Sequence, residues 1–367
     1  MRRTFRHFDW LLCACTLVLT AFGVAMIFSA GPAQETGFVL DEFYLRQGLY
    51  ALVGFAGMFL LAAIDYRIWE TWPRLPYLAT LAILALVAAS GQSAFASQRW
   101  FNLGLFPVQP SEAAKILLIV SLAKYLADRE SDAQRWYHIV VSLVLVAIPM
   151  GLVYLQPNLG TSIVLGTVGV GMLFMWGIRA RYVALLAAAG IAALVLVGFT
   201  ATDYQRQRLV TFLNPDDDPL GSGYNVLQAR ISIGSGGWTG QGFLSGTQSR
   251  LRFLRARHTD FIFSVVAEEL GLIGCAVFIG LMTLVLWRML RAAQLAGDGY
   301  GRLLAIGLVV MLFFQTAVNL GMNVGLLPVT GIPLPFLSFG GSSIISVLLG
   351  QGLIQSIIIH HRKLEFD

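Results

Sequence analysis

An all-α, polytopic membrane protein of about ten transmembrane helices is the fold class this sequence predicts. Hydrophobic residues make up 57% of its 367 residues and charged residues only 12%, with a mean hydropathy of +0.72. Soluble domains carry about 25% charged residues. A chain this apolar lacks the polar surface to face water and takes lipid as its solvent. Apolar runs of spanning length recur from end to end, and basic residues collect in alternate connections. The whole chain, 1–367, reads as one integral membrane domain with one long outer loop at 201–260.

The runs are expected near 10–29, 44–64, 74–90, 110–127, 138–155, 160–176, 182–200, 261–287, 302–324 and 341–359. Arg2, Arg3 and Arg6 precede the first run, and Ser29-Ala30-Gly31 resembles a cleavage site. The run exceeds the roughly 7–15 residues of a signal-peptide core, so it is expected to stay as the first helix. The fourth run opens on Pro110, which suits the first helical position. Gln156-Pro157-Asn158-Leu159-Gly160-Thr161 makes a tight turn between the fifth and sixth.

With the N-terminus inside, the short cytoplasmic segments hold Arg67, Arg74, Lys124, Arg129, Arg135, Arg179, Arg181, Arg288, Arg291, Arg302, Arg362 and Lys363, besides the first three arginines. The short outer segments hold little beyond Arg46 and Arg99. That asymmetry places both termini in the cytoplasm. It also explains the net charge of +5 and the pI near 9.2 without nucleic acid. Membrane lipids are the partners this charge implies.

Other functions are disfavoured by what the chain lacks. Cys13, Cys15 and Cys275 lie inside apolar runs and show no metal-ligand spacing, so they read as packing residues. No Walker A sequence occurs. Gly234, Gly236, Gly237, Gly240 and Gly242 miss the G-x-G-x-x-G spacing and read as a tightly turned or flexible loop rather than a phosphate cradle. Chemistry on the outer face has no nucleotide supply, so it must draw on an activated substrate such as a lipid-linked sugar pyrophosphate.

The residue types suited to chemistry gather on that outer face. Glu112 and Lys115 stand three apart and share a helix face. They form either a structural ion pair or part of a polar cavity, since ionisable groups in a membrane pair or face water. Asp260 stands where the polar loop meets Phe261-Ile262-Phe263. It is either a catalytic base or the N-cap of the eighth helix. Burial would raise its pKa, and Arg257 and His258 would lower it. Glu268 and Glu269 read as pairing with polar groups of neighbouring helices, the alternative being that one of them faces the cavity. The long loop holds Arg206, Arg208, Arg230, Arg250, Arg252, Arg255 and Arg257 and no lysine. Guanidinium forks suit diphosphate, and equally lipid headgroups or a protein partner. Asp216-Asp217-Asp218 between Pro215 and Pro219 reads as a solvated turn.

Three blocks together resemble the SEDS family (shape, elongation, division and sporulation). The first runs from Asn214-Pro215 through Gly246-Thr247-Gln248 to His258-Thr259-Asp260-Phe261-Ile262-Phe263 and Ala267-Glu268-Glu269-Leu270-Gly271. The second is Gly325 to Phe336, ending in Gly340-Gly341-Ser342-Ser343. The third is Arg99-Trp100 with Gln109-Pro110-Ser111-Glu112 and Lys115. Val329-Thr330-Gly331-Ile332 looks more like the elongation branch than the division branch.

The resemblance implies a peptidoglycan glycosyltransferase in the bacterial inner membrane that polymerises lipid II, an activity tied to cell elongation and shape. It implies Asp260 as the catalytic residue. Arg99, Trp100, Glu112, Lys115, Gln156, Thr161, Arg250, Arg257, His258, Thr259, Ser342 and Ser343 are the expected substrate-binding set. A class B penicillin-binding protein is the implied partner. No cofactor is expected to bind tightly. A divalent cation, Mg²⁺ or Mn²⁺, would be shared by one carboxylate and the substrate diphosphate, since no protein-only metal cage is visible. Two departures stand out: Asn158 replaces the family's aspartate, and Leu254-Arg255-Ala256 replaces its Leu-Pro-Glu, a basic field expected to lower the pKa of Asp260. A precursor flippase and a non-catalytic scaffold are the competing functions.

Overall fold

The computed structural model describes residues 7–31, 43–72, 74–90, 92–94, 97–102, 107–132, 135–186, 188–190, 208, 211–215, 223–251, 253–254 and 256–361. The apolar runs fold as helices close to their expected limits, except that residues 191–200 of the seventh run lie outside the described residues. They are α1 (Trp10–Ala30), α2 (Phe43–Ala63), α3 (Arg74–Ser90), α4 (Pro110–Ala127), α5 (Trp136–Leu155), α6 (Leu159–Trp176), α7 (Ala180–Gly190), α8 (Ile262–Leu295), α9 (Gly299–Asn323) and α10 (Gly341–Ile359). Seven of these are long and apolar enough to cross a membrane: α1, α2, α5, α6, α8, α9 and α10. Charges within α4 and the shorter lengths of α3 and α7 keep those three outside that set.

α9 and α10 form the interior of the bundle, and α9 packs against α4, α6 and α8. α2 lies along α10, where small residues let the backbones close up. A Cβ on Gly352 would come within 2.7 Å of the Met58 carbonyl oxygen, so nothing larger fits. Leu52, Leu60, Leu78, Leu86, Val144, Phe174, Val277 and Phe313 are exposed on the outside of the bundle. Such an apolar girdle marks a surface covered by lipid.

The all-α expectation has one exception. Gln92–Ala94 (β1), Ser97–Asn102 (β2) and Pro107–Val108 (β3) form a three-stranded antiparallel sheet between α3 and α4. Gln92 pairs with Trp100 and Phe101 with Val108. Strands this short leave no readable alternation in the sequence.

α8 departs from its expected end at 287 by continuing to Leu295. Arg288 and Arg291 end the hydropathy signal but not the helix. Its 34 residues make about 51 Å at 1.5 Å per residue, well beyond a hydrocarbon core of about 30 Å. Gly271, with φ 64° and ψ −163°, breaks it near the N-terminal end. There the glycine-rich segment packs directly on the helix backbone. Leu272 N–H donates to the Gly237 carbonyl at 2.9 Å and Gln241 N–H to that of Glu268 at 2.9 Å. A Cβ on Gly236 would lie 1.9 Å from the Ala267 carbonyl oxygen. These glycines allow close approach to the helix backbone, and their tight turn is one of the two readings the sequence offered.

Asp9, Arg67, Lys124, Glu130, Arg288, Asp298 and Arg302 join in ion pairs at the end of the bundle opposite Asp260. Asp298 ties this end together. It caps α9 through Gly301 N–H, accepts from the Tyr66 hydroxyl at 2.6 Å and pairs with Arg67 at 3.0 Å. Burial pushes its carboxyl up, but those three donors outweigh burial and hold it below its ordinary value.

Candidate active site

Asp260 lies one residue before the N-cap of α8. That cap position is Phe261, with no side-chain capping bond, so the N-cap reading of Asp260 is not the one the fold adopts. Its backbone is clamped instead. Asn319 and Asn323, one turn apart on α9, donate their Nδ2 groups to the Asp260 carbonyl at 3.2 and 3.0 Å. Asn319 also donates to the Ile332 carbonyl at 2.9 Å, and Asn323 Oδ1 accepts from the Ser264 hydroxyl at 2.7 Å. Both asparagines are fully buried.

The carboxylate of Asp260 accepts no hydrogen bond from the described residues. A Cβ at Gly331, where φ is +72°, would sit 3.9 Å from Asp260 Oδ2 and 3.8 Å from Arg208 Nη1. Arg208 therefore stands beside Asp260, anchored by a 3.0 Å bond from Nη1 to the Val329 carbonyl. Burial pushes the Asp260 carboxyl up from its ordinary value, and the Arg208 guanidinium opposes this without prevailing. The balance that the sequence left open goes to desolvation, and the opposing cation is Arg208 rather than Arg257 or His258; Arg255, whose basic field was expected to lower the value, lies outside the described residues.

The connection from Gly325 to Gly340 is the hub of the site. The Ser338 hydroxyl donates to the Thr259 carbonyl at 2.6 Å, and Phe339 N–H to that of His258 at 2.8 Å. Gln47 on α2 accepts from Gly340 N–H at 3.1 Å and donates to the Ser338 carbonyl at 3.3 Å. At the far end of the hub, Ser342 Oγ accepts from Gln109 N–H at 2.8 Å, just before α4. Ser346 donates to the Glu112 carbonyl at 3.0 Å. The turn at Gly160 rests on the same connection, where a Cβ would meet Ile332 Cγ1 and the Thr330 carbonyl oxygen at 2.8 Å. Four distant stretches of sequence, at Gln47, Gln109–Glu112, Gly160 and His258–Thr259, thus converge on this connection at one end of the bundle.

The expected site residues divide accordingly. The Glu112–Lys115 pair exists, with Nζ 2.8 Å from Oε2 and side chains 3% and 1% exposed. The Lys115 ammonium is held inside the protein by its partner. His258 is half-buried, stacked on Phe43 with ring centroids 4.6 Å apart. Burial, then the Arg257 charge, lowers its pKa and favours the neutral imidazole. Arg257 is buried, and its Nε donates to the Ala30 carbonyl at the end of α1. Gln156 is buried with Nε2 on the Leu84 carbonyl at 3.0 Å, joining α5 to α3. Thr161 is buried at the start of α6, its N–H on Asn158 Oδ1 at 3.3 Å. Ser343 is buried beside Ser342. Arg99 and Trp100 fall on β2 and Arg250 on the turn Thr247–Arg250, and their side chains lie outside the described set. Arg206, Arg252, Arg255 and Asp216-Asp217-Asp218 lie outside the described residues.

Glu268 and Glu269 are fully buried and anchor the loop. Glu268 accepts from Gln248 N–H at 2.7 Å, Ser249 N–H at 3.3 Å and the Thr247 hydroxyl at 3.3 Å. Glu269 accepts from the Ser29 hydroxyl at 2.6 Å and Leu244 N–H at 3.3 Å. Among the described residues, no group of three or more His, Cys, Asp or Glu is placed to hold a metal ion. Arg208, Asn319, Asn323 and Gln47 are site residues the sequence reading did not single out. The asparagines carried a readable signal, being two amides four residues apart in an apolar span.

Fold and site define a multi-pass membrane protein with an acid-bearing polar site at one end of its bundle. Residues 9–363 match the cell cycle protein family of FtsW, RodA and SpoVE, and the chain belongs to that family. It is 39% identical over 361 residues to peptidoglycan glycosyltransferase MrdB of Escherichia coli (strain K12), covering 98% of this chain and 95% of that protein. A solved structure described as the structural coordination of polymerization and crosslinking by a peptidoglycan synthase complex superposes with a TM-score of 0.81 at 32% identity, covering 96% of this chain and 97% of that one. The rod shape determining protein RodA of Thermus thermophilus superposes with a TM-score of 0.72 at 31% identity, covering 98% of each chain.

Proposed function

We propose that this protein is a peptidoglycan glycosyltransferase that polymerises lipid II, with Asp260 as the general base. The carrying observation is a carboxylate with a fixed backbone, no hydrogen-bond partner among the described residues and a guanidinium beside it. The acceptor sugar's 4-hydroxyl attacks the donor's anomeric carbon, and Asp260 takes its proton. The new C–O bond forms as the bond to the pyrophosphate breaks, inverting the α-linkage to β. Undecaprenyl pyrophosphate leaves with its electron pair. Arg208 neutralises charge at the leaving group, with Arg99 and Arg250 as further candidates. A raised Asp260 pKa suits a base, since proton affinity is what the step requires.

A divalent cation would arrive bound to the substrate diphosphate and be shared there with one carboxylate. The residues around Asp260 make no cage for it, so no step is assigned to it. The chain is one membrane domain of about ten spans, with both termini cytoplasmic and Asp260 outside. Ion pairs gathered at the opposite end support that orientation. The partner is a class B penicillin-binding protein, which cross-links the new strand. Support comes from this chain's likeness to a chain of a solved peptidoglycan synthase complex, described as coordinating polymerization and crosslinking.

The test is purified protein, alone and with the partner, reconstituted in vesicles with labelled lipid II. Glycan polymer is the expected product. Movement of lipid II across the bilayer without polymer makes the protein a flippase. Neither product, with the partner present, leaves a scaffold.

A further inference from the structure

At the end of the bundle opposite Asp260, a cavity of about 420 Å³ opens between the start of α1 and the ends of α8 and α10. Arg288, Arg291, His7 and His361 supply its polar lining, and Phe8, Trp10, Leu11 and Leu295 its apolar lining. One carboxylate is present. Asp9 Oδ2 lies 2.7 Å from Arg288 Nε and 2.6 Å from Nη2. That carboxylate is committed elsewhere too, since Asp9 Oδ1 caps α1 through Leu12 N–H at 3.0 Å. Gln355 on α10 brackets the Asp9 backbone, accepting from its N–H at 2.9 Å and donating to its carbonyl at 2.8 Å.

Arg291 is exposed and has no acidic partner among the described residues. The two histidines meet edge to face, their ring centroids 5.5 Å apart. One Asp9 carboxylate offsets Arg288, so the cavity keeps the positive charge of Arg291. Trp10 is 64% exposed, Leu11 46% and Leu295 40%, and these apolar groups form the rim. An exposed tryptophan beside cations is the pattern of a membrane–water boundary. The enclosed chemistry is an anion with apolar material attached.

We propose that this cavity binds the headgroup phosphate of an anionic glycerophospholipid, with Arg291 and Arg288 on the phosphate and Trp10, Leu11 and Leu295 against the acyl chains. A free phosphate would use the same cations but gain nothing from the apolar rim. The rim therefore decides for the lipid. Basic pockets between membrane helices are known to take such headgroups. Binding here would join α1, α8 and α10 at the end remote from the chemistry, and it does not depend on the glycosyltransferase reading.

The test is native mass spectrometry of the purified full-length protein, titrated with phosphatidylglycerol, phosphatidylcholine or glycerol 3-phosphate. Phosphatidylglycerol should be retained in preference to phosphatidylcholine, and glycerol 3-phosphate should not compete. Arg291→Gln should lower phosphatidylglycerol retention about fivefold, the worth of one arginine at a lipid surface. Arg74→Gln removes an exposed charge at the same end but outside the cavity, and should leave retention unchanged. Equal losses in the two variants would reduce the effect to general surface charge and overturn the site. Competition by glycerol 3-phosphate at similar concentration would overturn the lipid assignment. Because retention is read without polymerisation, its failure and that of the proposed activity are separate results.

Discussion

Glu268 and Asp260 are both carboxylates near the N-terminal end of α8, and they are treated in opposite ways. Glu268 is surrounded by donors, two backbone N–H groups and a hydroxyl, all from the turn at 247–249. Its charge is fully employed in holding the loop to the helix. Asp260 has its main chain clamped by two buried asparagines while its carboxylate accepts no hydrogen bond from the described residues. A buried carboxylate whose two oxygens both accept hydrogen bonds from the fold is an anchor. One whose backbone alone is fixed has its lone pairs left for a substrate. The contrast separates acids that build the site from the acid that works in it.

The largest effect should follow from breaking the working side of that contrast. Asp260→Asn keeps the carbonyl that Asn319 and Asn323 grip and removes only the proton acceptor. Polymerisation should fall by about 10²–10⁴-fold, the usual contribution of a positioned base. Thermal unfolding in detergent should stay near wild type. Near-normal polymer from the variant would end the role of Asp260 as base and return it to the structural class with Glu268.

Glu268→Ala should do the reverse. The buried Ser249 N–H would lose its acceptor at about 1–3 kcal/mol, and the part-buried Gln248 N–H and Thr247 hydroxyl would lose theirs at less, because water can reach them. Thermal stability should drop clearly, and activity should fall only through the unfolded fraction. Wild-type stability in this variant would mean that the loop is held by the glycine backbone contacts at Gly236 and Gly240 instead.

Much of this was legible in the sequence, for reasons that also mark its limit. Helix positions follow from hydrophobic run length, which is a local property. α3, α4 and α10 begin and end where the runs do. The Glu112–Lys115 pair was equally local, set by three-residue spacing. Arg257 was not legible as the partner of the Ala30 carbonyl, because 227 residues separate them. Arg208 stood among six other loop arginines with nothing local to distinguish it. Its place beside Asp260 is created by Val329 and Gly331, residues of a different connection. The sign of the Asp260 shift stayed open in the sequence for the same reason: burial and nearby charge oppose each other, and only packing reveals which prevails.

Arg208 gives a smaller and more selective effect. Asp260 must be ionised to accept a proton, so activity should fall as pH drops through its raised pKa. Arg208 lowers that pKa. Arg208→Gln should therefore raise it further and move the acid limb of kcat/KM to higher pH. In stability the sign is opposite. A carboxyl with a raised folded pKa holds its proton more tightly in the folded state, so it contributes stability at low pH that is lost as pH rises through the raised value. A loss of rate with an unmoved acid limb would make Arg208 a substrate contact alone, with no electrostatic hold on the base.

The smallest effect should come from Asn158, where the chain departs from the family's aspartate. Asn158 is buried at the start of α6, and its Oδ1 accepts from Thr161 N–H at 3.3 Å. That is an N-cap bond, which asparagine and aspartate make about equally well. The turn also carries Gly160 against Thr330 and Ile332, so a displaced cap would move the hub that carries Gly331 to the side of Asp260. A role in geometry and a role in charge therefore predict different outcomes for one substitution. If the cap is what matters, Asn158→Asp should change stability by less than about 0.5 kcal/mol and leave polymerisation unchanged, whereas Asn158→Ala should cost about 1 kcal/mol. If charge matters, Asn158→Asp alone should raise polymerisation, because it restores the acidic group at that turn. Measuring both variants for unfolding temperature and polymer yield decides between them, and a gain of activity in Asn158→Asp would extend the working side of the Glu268–Asp260 contrast to a second position.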